Sequence, residues 1–329
     1  MFRQSVFMRE ELSVIIPVYN SELILPELYR RLVKALEPAV ASFEIVAVVD
    51  GCRDGSYRVI RELADKDPRV KAIELSRNFG HQAAITAGLA AASGELVAII
   101  DDDLEDPPEV LAQFIGKIRE GYDVVYGVRR GRKRSFFHRL GYSAFYRVLG
   151  RLVDIEIPSD AGDFCVMRRR VVEVLNSMPE RNRYLRGLRA WAGFRQTGME
   201  YNREGRYASE SGYGLKKYFA LAFDAIFSFS YKPVIYVSIA GFLLALASVL
   251  YGLRIIIIGK SPVAPGWASL FVAILFLSAV QLISIGIIGQ YLARIYDEIK
   301  SRPQFVVNRT VGFGEKQGND GVGGKEPAA

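Results

Sequence analysis

The sequence predicts an α/β domain on a doubly wound, mostly parallel sheet, followed by a hairpin of two membrane-spanning helices. Three observations predict it. Short apolar strands alternate with helical patterns through the N-terminal third, the mark of βαβ units. Those strands end in polar residues, and ligands of such sheets bind beyond the carboxyl ends of the strands. Two uncharged runs, Val234–Leu253 and Ala268–Tyr291, each match the ~20 residues that cross a bilayer core.

The elements follow in order. Leu12–Pro17 reads as a buried strand and Leu23–Leu36 as a helix. Phe43–Val49 is a second strand, ending at Asp50-Gly51, before a helix near Ser56–Lys66. Val70–Leu75, a helix over His81–Ala92 and a strand over Glu95–Ile100 complete the pattern. The strand ends carry Pro17, Tyr19 and Asn20, then Asp50, then Arg77, then Asp101-Asp102-Asp103. No G-x-G-x-x-G or P-loop sequence is present, so a nucleotide needs another mode of capture. Tyr19 can pack on a base, Asp50 can accept from a base N–H, and Arg77 can meet a diphosphate. Each also has a plain structural reading: Asp50-Gly51 makes a good turn, and Tyr19 a half-buried loop aromatic.

The acidic run Asp101-Asp102-Asp103-Leu104-Glu105-Asp106-Pro107-Pro108 is the sharpest signal. Strand alternation puts Asp101 and Asp103 on one side and Asp102 on the other. Two such carboxylates suit a hard divalent cation, Mg²⁺ or Mn²⁺, shared with substrate phosphates. The alternative is an acidic cap on the helix that Pro107-Pro108 opens.

Charge sets the expected topology. The chain has 329 residues and a net charge of +7, too modest and too mixed to argue for nucleic acid. Lys216, Lys217 and Lys232 precede the first run, and Arg294, Lys300 and Arg302 follow the second. The positive-inside rule then places both outer flanks in the cytoplasm. Two cysteines, Cys52 and Cys165, suit a reducing compartment. The expected divisions are an extension over 1–11, a cytoplasmic domain over 12–214 and a juxtamembrane interfacial helix over 215–232. Spans at about 234–258 and 267–291 fill residues 233–292, and a tail over 293–329 is disordered at its end.

Further pieces point to the membrane surface. Arg129, Arg130, Arg132, Lys133 and Arg134 form a basic run leading into an amphipathic helical pattern that reaches about Val153. Such a run attracts a phosphate at the lipid surface; a solvated basic loop is the alternative. Six aromatics between Leu215 and Tyr231 suit the headgroup level. Gly286 and Gly289 permit close helix contact, including contact between copies. His81 reads as a helix-start residue.

These motifs carry a resemblance. Ser13–Asn20, Asp50-Gly51, Leu75–Gly80, Asp101–Pro108, Tyr122–Gly127, Ala161–Phe164 and Phe227–Ser230 resemble the family-2, A-type (GT-A) inverting glycosyltransferases. The polyprenyl-phosphate branch is the most similar: the bactoprenol glucosyltransferases, and more distantly the dolichol-phosphate mannosyltransferases. The resemblance implies a GT-A fold, a nucleotide-sugar donor, a polyprenyl phosphate acceptor and a divalent metal. It implies that Asp50 contacts the base, with Pro17 and Tyr19 shaping its pocket. It implies Asp101 near ribose or metal, and Asp103 on the metal. Glu105 stands where the family usually has Gln, close enough to be a further ligand. Asp163 corresponds to the family's candidate catalytic base.

Two departures touch phosphate binding. Cys165 replaces the usual Arg, and a thiol cannot do a guanidinium's work. Arg129, Arg130 and Arg168 are the candidates to replace it. The usual Gly-x-Ser/Thr-Lys-Tyr stretch appears as Ala208–Gly214 without its Lys, leaving Arg206 and Tyr213 on the donor side.

The expected activity is transfer of a hexose, from UDP-glucose or a related UDP-hexose, to undecaprenyl phosphate at the cytoplasmic face of the inner membrane. A GDP-mannose donor is the alternative within the class. A catalytically inactive nucleotide-sugar-binding partner is the alternative outside it. A soluble domain regulating a two-span channel is disfavoured, because no ionisable residue lies inside either run.

Overall fold

A computed structural model describes residues 10–130, 161–181, 183–203 and 267–313, with isolated positions between 237 and 250. The fold is mixed α/β around one eight-stranded, mostly parallel sheet. In chain order it runs β1 (Leu12–Val18), α1 (Leu25–Leu36), β2 (Phe43–Val49), α2 (Ser56–Lys66), β3 (Val70–Leu75), α3 (His81–Ala91), β4 (Leu96–Ile99) and α4 (Val110–Arg119). Then come β5 (Val124–Arg129), β6 (Ala161–Arg168), α5 (Arg169–Ser177), α6 (Leu185–Trp191), β7 (Gln196–Tyr201), α7 (Trp267–Ile299) and β8 (Val307–Val311).

The strands lie in the order β7-β5-β6-β4-β1-β2-β3-β8. β1 pairs parallel with both β2 and β4, and β2 with β3. Every residue of β1, β2 and β4 is buried, as expected of parallel strands covered on both faces. α1 covers one face with Leu25, Leu28, Leu32 and Leu36, a stripe at helical spacing. On the other face α3 packs so closely on β1 that a Cβ at Gly88 would lie 2.3 Å from Ile15 Cγ2. This contact sets the first turn of α3 over the carboxyl ends of the central strands.

The first four strands match the sequence reading to within a residue. The differences lie at the sheet's edges. β6 inserts between β4 and β5 and runs antiparallel to both, so the sheet is not uniformly parallel. β8, expected within the tail, pairs antiparallel with β3. β4 ends at Ile99, so Asp101–Asp103 sit in a turn beyond it rather than on a strand. Leu104 there has φ +58, which turns the chain sharply. α4 begins at Val110, after Pro107 and Pro108, and the Val110 N–H donates to the Pro107 carbonyl.

Among the described residues one helix is long and apolar enough to cross a membrane. It is α7, whose stretch Phe276–Ile299 has a mean hydropathy of 1.6 and is unburied. The span expected over 234–258 falls almost wholly outside the described residues, so a two-helix hairpin is not established. The amphipathic helix after Arg130, the juxtamembrane piece over 215–232, and Arg132, Arg206 and Tyr213 also lie outside them. Because β8 joins the same sheet as β1–β7, the chain that follows α7 lies on the side of the N-terminal domain.

Candidate active site

The carboxyl ends of β1, β2 and β4 and the amino end of α3 converge on one edge. Pro17 is buried at the end of β1, level with Val48. Tyr19 follows, about half exposed. Asn20 has φ +54 and accepts from the Arg53 N–H through Oδ1, which joins the β1 and β2 loops. Asp50 is buried, and its two oxygens accept from the Phe79 and Gly80 N–H groups at 2.7 and 2.8 Å. It thus clamps the loop between β3 and α3. Gly51, at φ +59, lies against that loop: a Cβ there would be 2.2 Å from Asn78 N. Arg77 stacks on the Phe79 ring at 4.6 Å.

The acidic turn separates its carboxylates by task. Asp102 Oδ2 accepts from the Tyr19 N–H at 2.9 Å and from Ser21 Oγ at 2.5 Å, pinning the β1 loop. Asp103 Oδ1 accepts from the Glu105 N–H, closing the turn. Asp101 Oδ1 is buried without a hydrogen-bond partner. Burial, opposed by His81 and reinforced by Asp163, Asp106 and Asp103, raises the Asp101 pKa to about 7. Asp106 is buried and accepts from Tyr201 Oη and, at 3.3 Å, from Arg129 Nη2. Glu105 is buried and ion-paired with Arg203.

Asp163, near the start of β6, faces this turn. Arg186 of α6 donates to both its oxygens, Nε at 2.9 Å and Nη2 at 3.1 Å. Gln82 Nε2 adds a bond at 3.4 Å. His81 Nε2 lies 3.6 Å from Asp163 Oδ2 and 3.6 Å from Asp101 Oδ1. Burial works against the Asp163 charge, but Arg186 and His81 outweigh it and hold the carboxyl far below the usual range. The same acids overcome burial at His81 and raise it to about 9.

The structure therefore brings together Asp101, Asp103 and Asp163, adds Gln82 and Arg186, which the sequence did not single out, and gives His81, read as a helix-start residue, a second part. His81 does begin α3, but its ring spans two carboxylates. Arg183, Arg186 and Arg189 recur every third residue, and Arg183 and Arg189 are buried. Closely spaced guanidinium groups on and just before α6 were the available signal.

Several expected phosphate ligands stand elsewhere. Arg168 is at the far end of β6 from Asp163 and donates to the Tyr122 and Ile118 carbonyls, capping α4. Arg130 pairs with Glu200. Of the expected phosphate ligands among the described residues, Arg129 alone, through Asp106, borders the acidic turn. Cys165 is fully buried, burial raises its thiol, and the guanidiniums that act on it are Arg189 and Arg186 of α6. The guanidiniums nearest Cys165 therefore come from α6, and not from Arg130 or Arg168.

A divalent cation fits this turn. The Asp101 Oδ1 oxygen accepts no hydrogen bond, and its pKa stays raised despite His81 at 3.6 Å; a cation between the carboxylates relieves that crowding of negative charge. Among the described residues no three His, Cys, Asp or Glu side chains surround a common point. Two carboxylates plus substrate phosphates is the usual arrangement for Mg²⁺. Glu105 is ion-paired with Arg203 at the edge of the same turn.

Comparison with known proteins identifies the family. The model of the family "Glycosyl transferase family 2" matches residues 13–175. The uncharacterized glycosyltransferase YkcC of Bacillus subtilis is 43% identical over 93% of this chain and 95% of its own length. The bactoprenol glucosyl transferase of Shigella phage SfII is 37% identical over 91% of this chain and 98% of its own. Among solved structures, the mannosyltransferase PcManGT of Pyrobaculum calidifontis superposes with a TM-score of 0.44 at 16% identity, covering 89% of this chain and 88% of that one. Identity at this level along nearly the whole chain makes the protein a glycosyltransferase and a member of glycosyl transferase family 2.

Proposed function

We propose that this chain moves a hexose from a nucleotide sugar, UDP-glucose or a related UDP-hexose, to undecaprenyl or a related polyprenyl phosphate, with inversion. The observation that carries the reading is the meeting of the Asp101–Asp103 turn with the Asp163–Arg186 pair. It is supported by 37–38% identity to bactoprenol glucosyl transferases of Shigella phages over 90–91% of the chain.

In this reading the donor base lies over Pro17 and Tyr19, on the loop that Asp50 clamps. Asp101 and Asp103 hold Mg²⁺ or Mn²⁺, which when bound offsets charge gathering on the departing diphosphate. The acceptor phosphate oxygen attacks the anomeric carbon, the bond to the diphosphate breaks, and the configuration inverts. A phosphate monoester, with a second pKa near about 6, is already an anion at neutral pH. Asp163, held by two guanidinium bonds, has little affinity for a proton and makes a poor base. Its role is to fix a sugar hydroxyl or the acceptor, with Arg186 and His81 as the adjacent cationic donors.

The site is expected at the cytoplasmic face of the inner membrane, with α7 and the run over 234–258 as the hairpin. The test is binding of UDP, UDP-glucose, GDP and GDP-mannose by calorimetry, with Mn²⁺ present and absent. Mn²⁺-dependent binding of a UDP ligand, lost in Asp103→Asn, supports the reading. Preference for GDP ligands overturns the donor, and metal-independent binding overturns the roles of Asp101 and Asp103.

A further inference from the structure

The connection between α5 and α6 is held at one end by the chain that surrounds the end of α7. The Arg181 N–H donates to Glu298 Oε1 at 2.8 Å, in the last turn of α7. Gln304 Nε2 donates to the Glu180 carbonyl at 2.7 Å. At the other end the Leu185 N–H donates to Gln82 Oε1 at 3.1 Å, and the next residue, Arg186, grips Asp163. Between the two, buried Arg183 donates to the Leu175 carbonyl in the last turn of α5. A short stretch therefore runs from the apolar helix to the Asp163 carboxylate with a fixed point at each stage.

The chain beyond α7 is itself firmly docked. The Ser76 N–H donates to the Val306 carbonyl, and β8 continues the pairing along β3. Arg309 donates twice to Glu74, at 2.7 and 3.2 Å, and stacks on the Tyr57 ring at 3.9 Å. Gly312 closes the strand at φ +80, where a Cβ would lie 2.7 Å from the Val70 carbonyl oxygen. Covering the β3 edge against other chains requires β8 alone. It does not require Glu298 and Gln304 to hold the connection between α5 and α6.

We propose that Glu298 and Gln304 are positioning residues: they fix α6 relative to the end of α7, and so set the Arg186–Asp163 pair in register with the bilayer. This rests on the reading of that pair as part of a transfer site. A lipid-borne acceptor arrives at a height set by the bilayer, whereas a nucleotide sugar arrives from water. Only the first has to be matched to the depth of a membrane helix.

The test uses the full chain in lipid nanodiscs and the variants Glu298→Ala with Gln304→Ala, and Glu298→Gln, which keeps an accepting oxygen. Three quantities are read: amide hydrogen exchange over Leu185–Leu188, kcat for transfer to a polyprenyl phosphate with KM for the donor, and thermal stability. The expected result for the double variant is exchange over Leu185–Leu188 faster by about 10-fold. Its kcat falls by about 10- to 100-fold, since a displacement near 1 Å costs that much, while the donor KM stays within about 2-fold. Glu298→Gln stays near wild type. Unchanged exchange at those amides overturns the proposal. So does faster exchange with an unchanged kcat, or a loss spread over the whole sheet with a fall in melting temperature. If the wild-type protein transfers no sugar, the functional reading fails, and the exchange measurement still decides whether α7 holds α6.

Discussion

Arg186 lays two N–H groups along the Asp163 carboxylate, at 2.9 and 3.1 Å, and joins α6 to the start of β6. The pair is largely buried: the Asp163 side chain is 8% exposed and that of Arg186 31%. Removing one partner leaves the other charge uncompensated. Arg186→Ala is expected to cost about 3 kcal/mol and to lower the transfer rate by at least about 100-fold. Arg186→Lys recovers part of the stability but little of the rate, because an ammonium is a point charge without the planar fork that fixes both carboxylate oxygens. Thermal unfolding and initial rates check both. Asp163 lies below its unfolded pKa, so its stabilisation is present above about pH 4 and is lost only as pH falls through the folded value. Between pH 5 and 8 the wild-type stability should show no step from this pair.

Asp101 behaves in the opposite sense. Its folded pKa of about 7 exceeds the unfolded value near 3.9, so ionisation destabilises the metal-free fold as pH rises between them. From pH 6 to pH 8 ionisation of Asp101 should cost the metal-free protein about 1 kcal/mol, which Asp101→Asn should remove; the separate loss as His81, raised to about 9, gives up its proton over the same range should remain in that variant. A bound cation reverses the trend, because it competes with the proton. Mn²⁺ should therefore raise the melting temperature more at pH 8 than at pH 6 in the wild type, and at neither pH in Asp101→Asn.

Glu105 separates two roles by substitution. If its carboxylate serves the pair with Arg203, Glu105→Gln leaves Mn²⁺ affinity within about 3-fold and costs about 1 kcal/mol. If it ligates the metal, the affinity falls by about 10-fold or more. Titration of Mn²⁺ followed by electron paramagnetic resonance distinguishes the two, and the ion pair predicts the first.

Gly51 has no room for a side chain. Its φ is +59, and a Cβ would meet Asn78 N at 2.2 Å and the Arg77 carbonyl carbon at 2.4 Å. These are backbone atoms, so Gly51→Ala must push the β3–α3 loop away from Asp50. The expected cost is at least about 2 kcal/mol, together with weaker nucleotide binding. A melting curve and a UDP titration on the same sample check that the two losses go together.

The central strands were legible because each is a continuous apolar, β-branched run bounded by polar residues. The peripheral ones were not, because their pairing partners give them their structure. β8 is Val-Asn-Arg-Thr-Val, mostly exposed, and its composition reads as tail until β3 supplies its hydrogen bonds. β6 carried a recognisable motif around Asp163, but its antiparallel insertion between β4 and β5 is a long-range choice that local sequence does not encode. Asp101, Asp103 and Asp163 stood out by residue type and motif. His81 and Arg186 did not, since an isolated His at a helix start and an Arg on a helix are ordinary until distances join them to a carboxylate. Arg168 was misplaced for a related reason: five residues along an extended strand is about 17 Å, enough to move it from the site to the cap of α4.

The most direct test of the account is transfer itself. Purified full-length protein in detergent, with Mn²⁺, is given radiolabelled UDP-glucose and undecaprenyl phosphate, beside Asp103→Asn and Arg186→Ala. Label is expected in the lipid fraction, dependent on the metal and lost with either substitution. Label that forms equally well without metal, or in Asp103→Asn, would contradict it, as would tight metal-dependent UDP-glucose binding with no transfer to the lipid.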